Sequence, residues 1–135
     1  MYVYPFISEP QHPTIFRQNS ASYGGGLHSF YSNPATVLVN TVFDSNRALT
    51  DDGGGVYVEM GSSIVTFVAV TFKQNTAFAD GGGVAFISGS FGVQVVKCTF
   101  LENSNKQGNG GGLYLGTLNG IGVLKKNNFI ALEWY

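Results

Sequence analysis

The sequence predicts an all-β chain wound into a right-handed, single-stranded parallel β-helix, a β-solenoid of about four to five coils of 27–29 residues. Three observations predict it. Triple glycines followed by an aliphatic residue recur as Gly24-Gly25-Gly26-Leu27, Gly53-Gly54-Gly55-Val56, Gly81-Gly82-Gly83-Val84 and Gly110-Gly111-Gly112-Leu113, at steps of 29, 28 and 29 residues. A second landmark, Phe-x-x-Asn, keeps nearly the same step as Phe16 to Asn19, Phe43 to Asn46, Phe72 to Asn75 and Phe100 to Asn103, and Phe129 opens a fifth copy. Segments such as Ile64–Val70, rich in β-branched and aromatic residues, together with the glycines favour short strands separated by turns over helices.

A unit of this length accommodates three short strands and three turns, with successive coils about 4.8 Å apart. Superposing the copies turns each position into a column running up the rod. After the glycines, Leu27, Val56, Val84 and Leu113 form one inward column, and Ser29, Val58, Phe86 and Leu115 form another. His28, Tyr57, Ala85 and Tyr114 lie between them and point outward. Next come Leu38, Phe67, Val95 and Leu124, then Thr41, Val70, Cys98 and Asn127, where a small side chain packs after a turn.

The phenylalanines Phe43, Phe72, Phe100 and Phe129 form a second interior stack, each contributing roughly 2–3 kcal/mol on burial. The column after them reads Arg17, Asp44, Lys73 and Leu101, so opposite charges meet on successive coils as exposed pairs, worth under about 1 kcal/mol each. Asn19, Asn46, Asn75 and Asn103 are expected to form an asparagine ladder, each amide bonding turn backbone and the amide of the next coil. Ahead of the glycines stand Asp51, Asp52, Asp80 and Asn109. Their oxygens suit Asx turn capping, and they are weak candidates for calcium, which requires six to eight oxygen ligands.

Composition bounds the function. The 135 residues fit one domain: a partial N-terminal coil or linker over 1–15, repeats over 16–129, and an incomplete end over 130–135. A net charge of −1 gives no basic patch for nucleic acid. The first ten residues lack Lys and Arg and carry Pro5, so neither a signal peptide nor a membrane span is expected within the chain. One cysteine excludes an internal disulfide framework. Pro5, Pro10 and Pro13 disfavour a capping helix. The fifth motif lacks its asparagine, so the chain is expected to be a fragment of a longer array that pairs with neighbouring repeats or self-associates end to end.

With both landmarks in hand, the chain resembles the polymorphic outer membrane protein repeat of chlamydial autotransporter passengers, whose hallmarks are Phe-x-x-Asn and Gly-Gly-Ala followed by Ile, Leu or Val. The four Phe-x-x-Asn copies fit without exception, whereas the third residue of the glycine motif is glycine in all four. The resemblance implies a rod displayed at the cell surface or outer membrane, or secreted, that adheres to a protein or glycan of a host or neighbouring cell.

Three functions compete. For an adhesive module, Tyr57 and Tyr114 are exposed contact candidates, since aromatics on a rigid surface bind at low entropy cost. A pectate lyase-like polysaccharide lyase or hydrolase needs acidic and basic side chains converging from adjacent coils. Of the eight acids only Asp51, Asp52 and Asp80 cluster, and no basic residue shares their columns, so no catalytic residues are assigned. Cys98 has neither His12 nor His28 nearby to activate it. An ice-binding surface requires an unbroken threonine ladder, and Val42, Thr71, Thr99 and Asn128 do not supply one. No cofactor is expected.

Overall fold

A computed structural model describes residues 12–30, 35–59, 64–87, 92–116 and 122–130. The expectations for 1–11 and 131–135, including Pro5, Pro10 and the missing fifth asparagine, lie outside the described residues. The first described strand begins at Thr14, within the segment 1–15 read as a partial N-terminal coil or linker.

Strands that recur once per coil pair in parallel with their equivalents above and below, forming four sheets among the described residues. The phenylalanine sheet contains β1 (Thr14–Arg17), β5 (Thr41–Asp44), β9 (Thr71–Lys73), β13 (Thr99–Leu101) and β17 (Asn128–Ile130). A short sheet of two-residue strands follows each asparagine: β2 (Ser20–Ala21), β6 (Arg47–Ala48), β10 (Thr76–Ala77) and β14 (Ser104–Asn105). The glycine sheet holds β3 (Leu27–Phe30), β7 (Val56–Glu59), β11 (Val84–Ile87) and β15 (Leu113–Leu115). The valine sheet holds β4 (Thr36–Val39), β8 (Val65–Val68), β12 (Val93–Val96) and β16 (Val123–Lys125).

The fold class is therefore the expected right-handed parallel β-solenoid, with two corrections. Each coil has four strands rather than three, because the residues between asparagine and glycines pair from coil to coil instead of forming an unpaired turn. The coil count is slightly lower than four to five: most sheets contain three coil-to-coil steps, so about three turns separate first rung from last.

Two bends in each coil are made by a non-glycine residue in the left-handed region. One follows the valine sheet, at Asn40, Ala69, Lys97 and Lys126, with φ from 46° to 56°. The other follows the phenylalanine sheet, at Gln18, Ser45, Gln74 and Glu102, with φ from 53° to 58°. A single left-handed residue turns the strand direction sharply without a long loop, which keeps the coil narrow. The residue after each bend points inward.

The interior is the set of columns anticipated from the period. Phe43, Phe72, Val56, Val58, Val84, Phe86, Phe67 and Val95 are fully buried, with Val70, Cys98 and Phe100 packed beside them. In the second inward column, Ser29 is buried and bonds Thr36 across the coil, its Oγ 2.9 Å from the threonine Oγ1. At the last coil the same columns open to solvent: Leu115, Leu124 and Phe129 are 37%, 49% and 56% exposed because only one neighbour covers them.

Candidate functional site

The phenylalanines superimpose as expected. Ring centroids are 4.8 Å apart from Phe16 to Phe43, 5.2 Å to Phe72, 5.0 Å to Phe100 and 4.6 Å to Phe129, with planes within 11° of parallel. The spacing follows from the interstrand distance: parallel pairing in register places identical side chains face to face.

The asparagines form a continuous ladder. Asn46 Oδ1 accepts the backbone N–H and the amide N–H of Asn19, at 3.0 and 2.9 Å. Asn75 Oδ1 accepts the same pair from Asn46, and Asn103 Oδ1 from Asn75. Each amide nitrogen also donates backward to the phenylalanine carbonyl of the preceding coil: Asn46 to Phe16, Asn75 to Phe43 and Asn103 to Phe72, at 2.8–2.9 Å. Asn46 and Asn75 are buried, so these bonds satisfy groups that no water reaches.

The three glycines of each triplet are required for different reasons. The first, at Gly24, Gly53, Gly81 and Gly110, has φ between 53° and 68°. The second lies against the short sheet: a Cβ at Gly54 would meet the Thr76 backbone, and one at Gly82 the Ser104 backbone. The third faces the next coil's motif. A Cβ at Gly26 would lie 2.8 Å from the Phe43 ring and 3.2 Å from the Asn46 amide carbon, and one at Gly55 3.2 Å from both Phe72 and Asn75. The two landmarks thus touch, ring and amide filling the space an alanine methyl would need. The carbonyl of the next coil's third glycine is as near or nearer, 2.8 Å at Gly26, 2.6 Å at Gly55 and closer still at Gly83, so backbone, ring and amide together account for glycine at the position where the resembling repeat has alanine.

The acidic column forms a ladder running in the opposite sense. Asp52 Oδ1 accepts the Asp80 backbone N–H, and Asp80 Oδ1 accepts the Asn109 backbone N–H, both at 2.6 Å. Burial pushes the Asp52 carboxyl above its ordinary range, aided by the charges of Asp51 and Asp80 and opposed by the bond from Asp80 N–H. Among the described residues no group of three or more His, Cys, Asp or Glu is arranged to hold a metal ion.

The opposite-charge column pairs as anticipated in one place. Arg17 Nε donates to Asp44 Oδ2 at 3.1 Å. Contrary to the expectation of an exposed pair, Asp44 is buried and also accepts from Ser45 Oγ at 2.7 Å. The Ser45 bond, then Lys73 and Arg17, hold its carboxyl below the usual range against the opposing effect of burial.

The outer face of the glycine sheet corrects a second expectation. Tyr57 points away from the core yet is only 4% exposed, and Ala85 beside it is fully buried. Tyr57 is covered by Tyr23 and His28, whose ring centroids lie 5.4 and 5.0 Å away. Burial and the neighbouring Glu59 hold its phenol protonated far above the ordinary tyrosine range. Tyr114 is half-buried, and Asp80 shifts its phenol in the same direction. Exposed aromatics on this face, among the described residues, include Tyr23 at 41% and Phe30 at 54%, neither of them singled out by the repeat. Their signal was present as two aromatics in columns that other coils fill with Asp52, Asp80, Glu59 and Ile87.

Cys98 is buried, its Sγ 3.4 Å from the Val96 carbonyl and 3.6 Å from that of Phe67, and burial pushes its thiol up. Among the described residues no helix is long and apolar enough to cross a membrane. No curated protein and no solved structure matches the chain. The family described as right handed beta helix region matches residues 9–130. That match and the parallel stacked sheets agree over nearly the whole chain, which therefore belongs to the right-handed β-helix family.

Proposed function

We propose that the chain is a structural and adhesive β-helix module, displayed at a cell surface or outer membrane or secreted, as in passengers of the polymorphic outer membrane protein type. One observation carries this reading: the buried amides and carboxylates among the described residues are engaged between coils. Asn46, Asn75 and Asp52 bond the neighbouring coil, and Asp44 pairs with Arg17. Such a framework is a rigid support whose outer face is left to make contacts. The recurring Phe-x-x-Asn and triple-glycine motifs add the resemblance to adhesive repeats. Beads coated with the purified chain should be retained on cultured cells over beads coated with a scrambled-surface variant; equal retention across a panel of cell types and immobilised glycans would end the adhesive reading.

A second reading, a carbohydrate-active β-helix enzyme, draws on one feature. Asp52 is a buried carboxyl with a raised protonation range beside Asp51 and Asp80, the environment from which general acids are made. Its Oδ1 is already engaged by Asp80 N–H. Incubation with a polyuronide panel decides: new reducing or unsaturated ends that vanish in Asp52→Asn would favour the enzyme.

A further inference from the structure

We propose that Asn109 is a site of spontaneous covalent modification, converting to aspartate and isoaspartate through a cyclic imide formed with Gly110, while the fold shields the equivalent steps in the coils before it. Three Asx-Gly steps stack in one column: Asp52-Gly53, Asp80-Gly81 and Asn109-Gly110. The nucleophile is the glycine backbone nitrogen, which no side chain screens. Gly110 N attacks Asn109 Cγ and closes the imide ring; the Cγ–Nδ2 bond breaks, and Nδ2 leaves as ammonia with the proton from Gly110 N–H. Water then opens the imide at either carbonyl, giving aspartate or isoaspartate. The reaction consumes only water, and it makes asparagine a thermally labile residue. It is independent of the adhesive reading.

Hydrogen bonding separates the three steps. Gly53 N–H donates to Asp80 O at 2.9 Å and Gly81 N–H to Asn109 O at 3.0 Å, so each of these nitrogens is tied to the next coil and becomes available only when that bond opens. Gly110 N–H meets no acceptor among the described residues. Asp52 is buried, whereas Asn109 is exposed to the water the reaction needs. Backbone shape does not distinguish them: φ is 68° at Gly53, 63° at Gly81 and 65° at Gly110. The product alters the column. An aspartate at this position puts a carboxylate where Asn109 Nδ2 now lies 3.5 Å from Asp80 Oδ1. Isoaspartate adds a carbon to the main chain beside the carbonyl that accepts Gly81 N–H and, at 2.8 Å, Asn105 Nδ2. Either change loosens the last glycine turn.

The test incubates the full chain at mildly alkaline pH and physiological temperature, folded and in guanidinium chloride, and follows each site by proteolysis and mass spectrometry. Asn119-Gly120, a further Asn-Gly pair, lies outside the described residues, and fragment ions arising between positions 109 and 119 separate the two. Folded Asn109 is expected to convert within about tenfold of its rate in denaturant. Asp80→Asn supplies the internal control, since its oxygen can still accept Asn109 N–H while Gly81 N–H stays bonded. The amide introduced at position 80 should convert at least about tenfold more slowly than Asn109 in the folded chain, and at a similar rate in denaturant. A greater slowing of Asn109 by folding, or a smaller gap between the two positions, overturns the proposal. Should Asp80→Asn fail to fold by circular dichroism, the parent's folded-to-denatured ratio decides alone.

Discussion

Two corners of each coil turn on a non-glycine residue in the same left-handed conformation and are finished differently. After the phenylalanine sheet, Gln18, Ser45, Gln74 and Glu102 turn the chain and an asparagine always points inward. After the valine sheet, Asn40, Ala69, Lys97 and Lys126 make the same turn, yet the inward residues are Thr41, Val70, Cys98 and Asn127. The backbone bend therefore needs only its left-handed residue, and the amide ladder is a separate device added to one corner. Asn127 shows the equivalence directly: its Oδ1 accepts Cys98 N–H at 2.9 Å and its Nδ2 donates to Val95 O at 2.8 Å, the pattern Asn75 makes with Asn46 and Phe43.

The comparison breaks most visibly at the amide corner. Asn75→Ala removes the acceptor for two N–H groups of Asn46 and the donors to Phe43 O and Asn103 Oδ1. Leaving buried partners unmatched should cost about 3 kcal/mol or more, read as a shift in the urea midpoint; a loss below about 1 kcal/mol would mean the ladder is incidental. Gly55→Ala, which pushes a methyl toward Phe72 and Asn75, should cost about 1–3 kcal/mol. A neutral outcome there would show that neither the Gly83 carbonyl nor the Phe72 and Asn75 side chains constrain this position.

The other corner sharpens the contrast. Cys98→Asn extends the Asn127 pattern by one coil, placing an amide where Phe67 O can accept and Asn127 can pair, so stability should change by no more than about 1 kcal/mol. A loss of several times that would deny that the corners are equivalent. The smallest effect is expected at the acidic edge. Asp52 has a raised folded-state range, so its contribution is fully present below the unfolded value near pH 4 and is lost as pH rises through the folded one. Asp52→Asn, whose oxygen can still accept Asp80 N–H, should stabilise by under about 1 kcal/mol at pH 7, and the gain should disappear in denaturation curves at about pH 3.5. Asp44 carries the opposite sign: its depressed range gives stability above the unfolded value that is lost on acidification.

What the sequence made legible was whatever repeats with one residue type. Phe43, Phe72 and Phe100 could be read as a file of rings, and Asn46, Asn75 and Asn103 as a file of amides, because parallel in-register pairing stacks equals on equals. The short sheet escaped notice because two residues, Ser20–Ala21 or Thr76–Ala77, are too few to show a strand alternation. The valine-sheet corner was hidden by its mixed occupants, Thr41, Val70 and Cys98, which share a backbone shape rather than a chemistry. Tyr57 was misplaced as exposed because its cover comes from Tyr23, an aromatic standing where later coils have aspartate. Such departures from the period are what column averages erase.

The amide-to-amide bonds linking Asn19, Asn46, Asn75 and Asn103 all run in one direction, each donor lying in the lower-numbered coil. Their dipoles add head to tail, and each bond polarises the next. The rod is accordingly a vector: a coil laid beyond Asn103 meets amide hydrogen, and one laid before Asn19 meets amide oxygen. Growth or stacking by this kind of repeat therefore has a reading direction, set by four side chains.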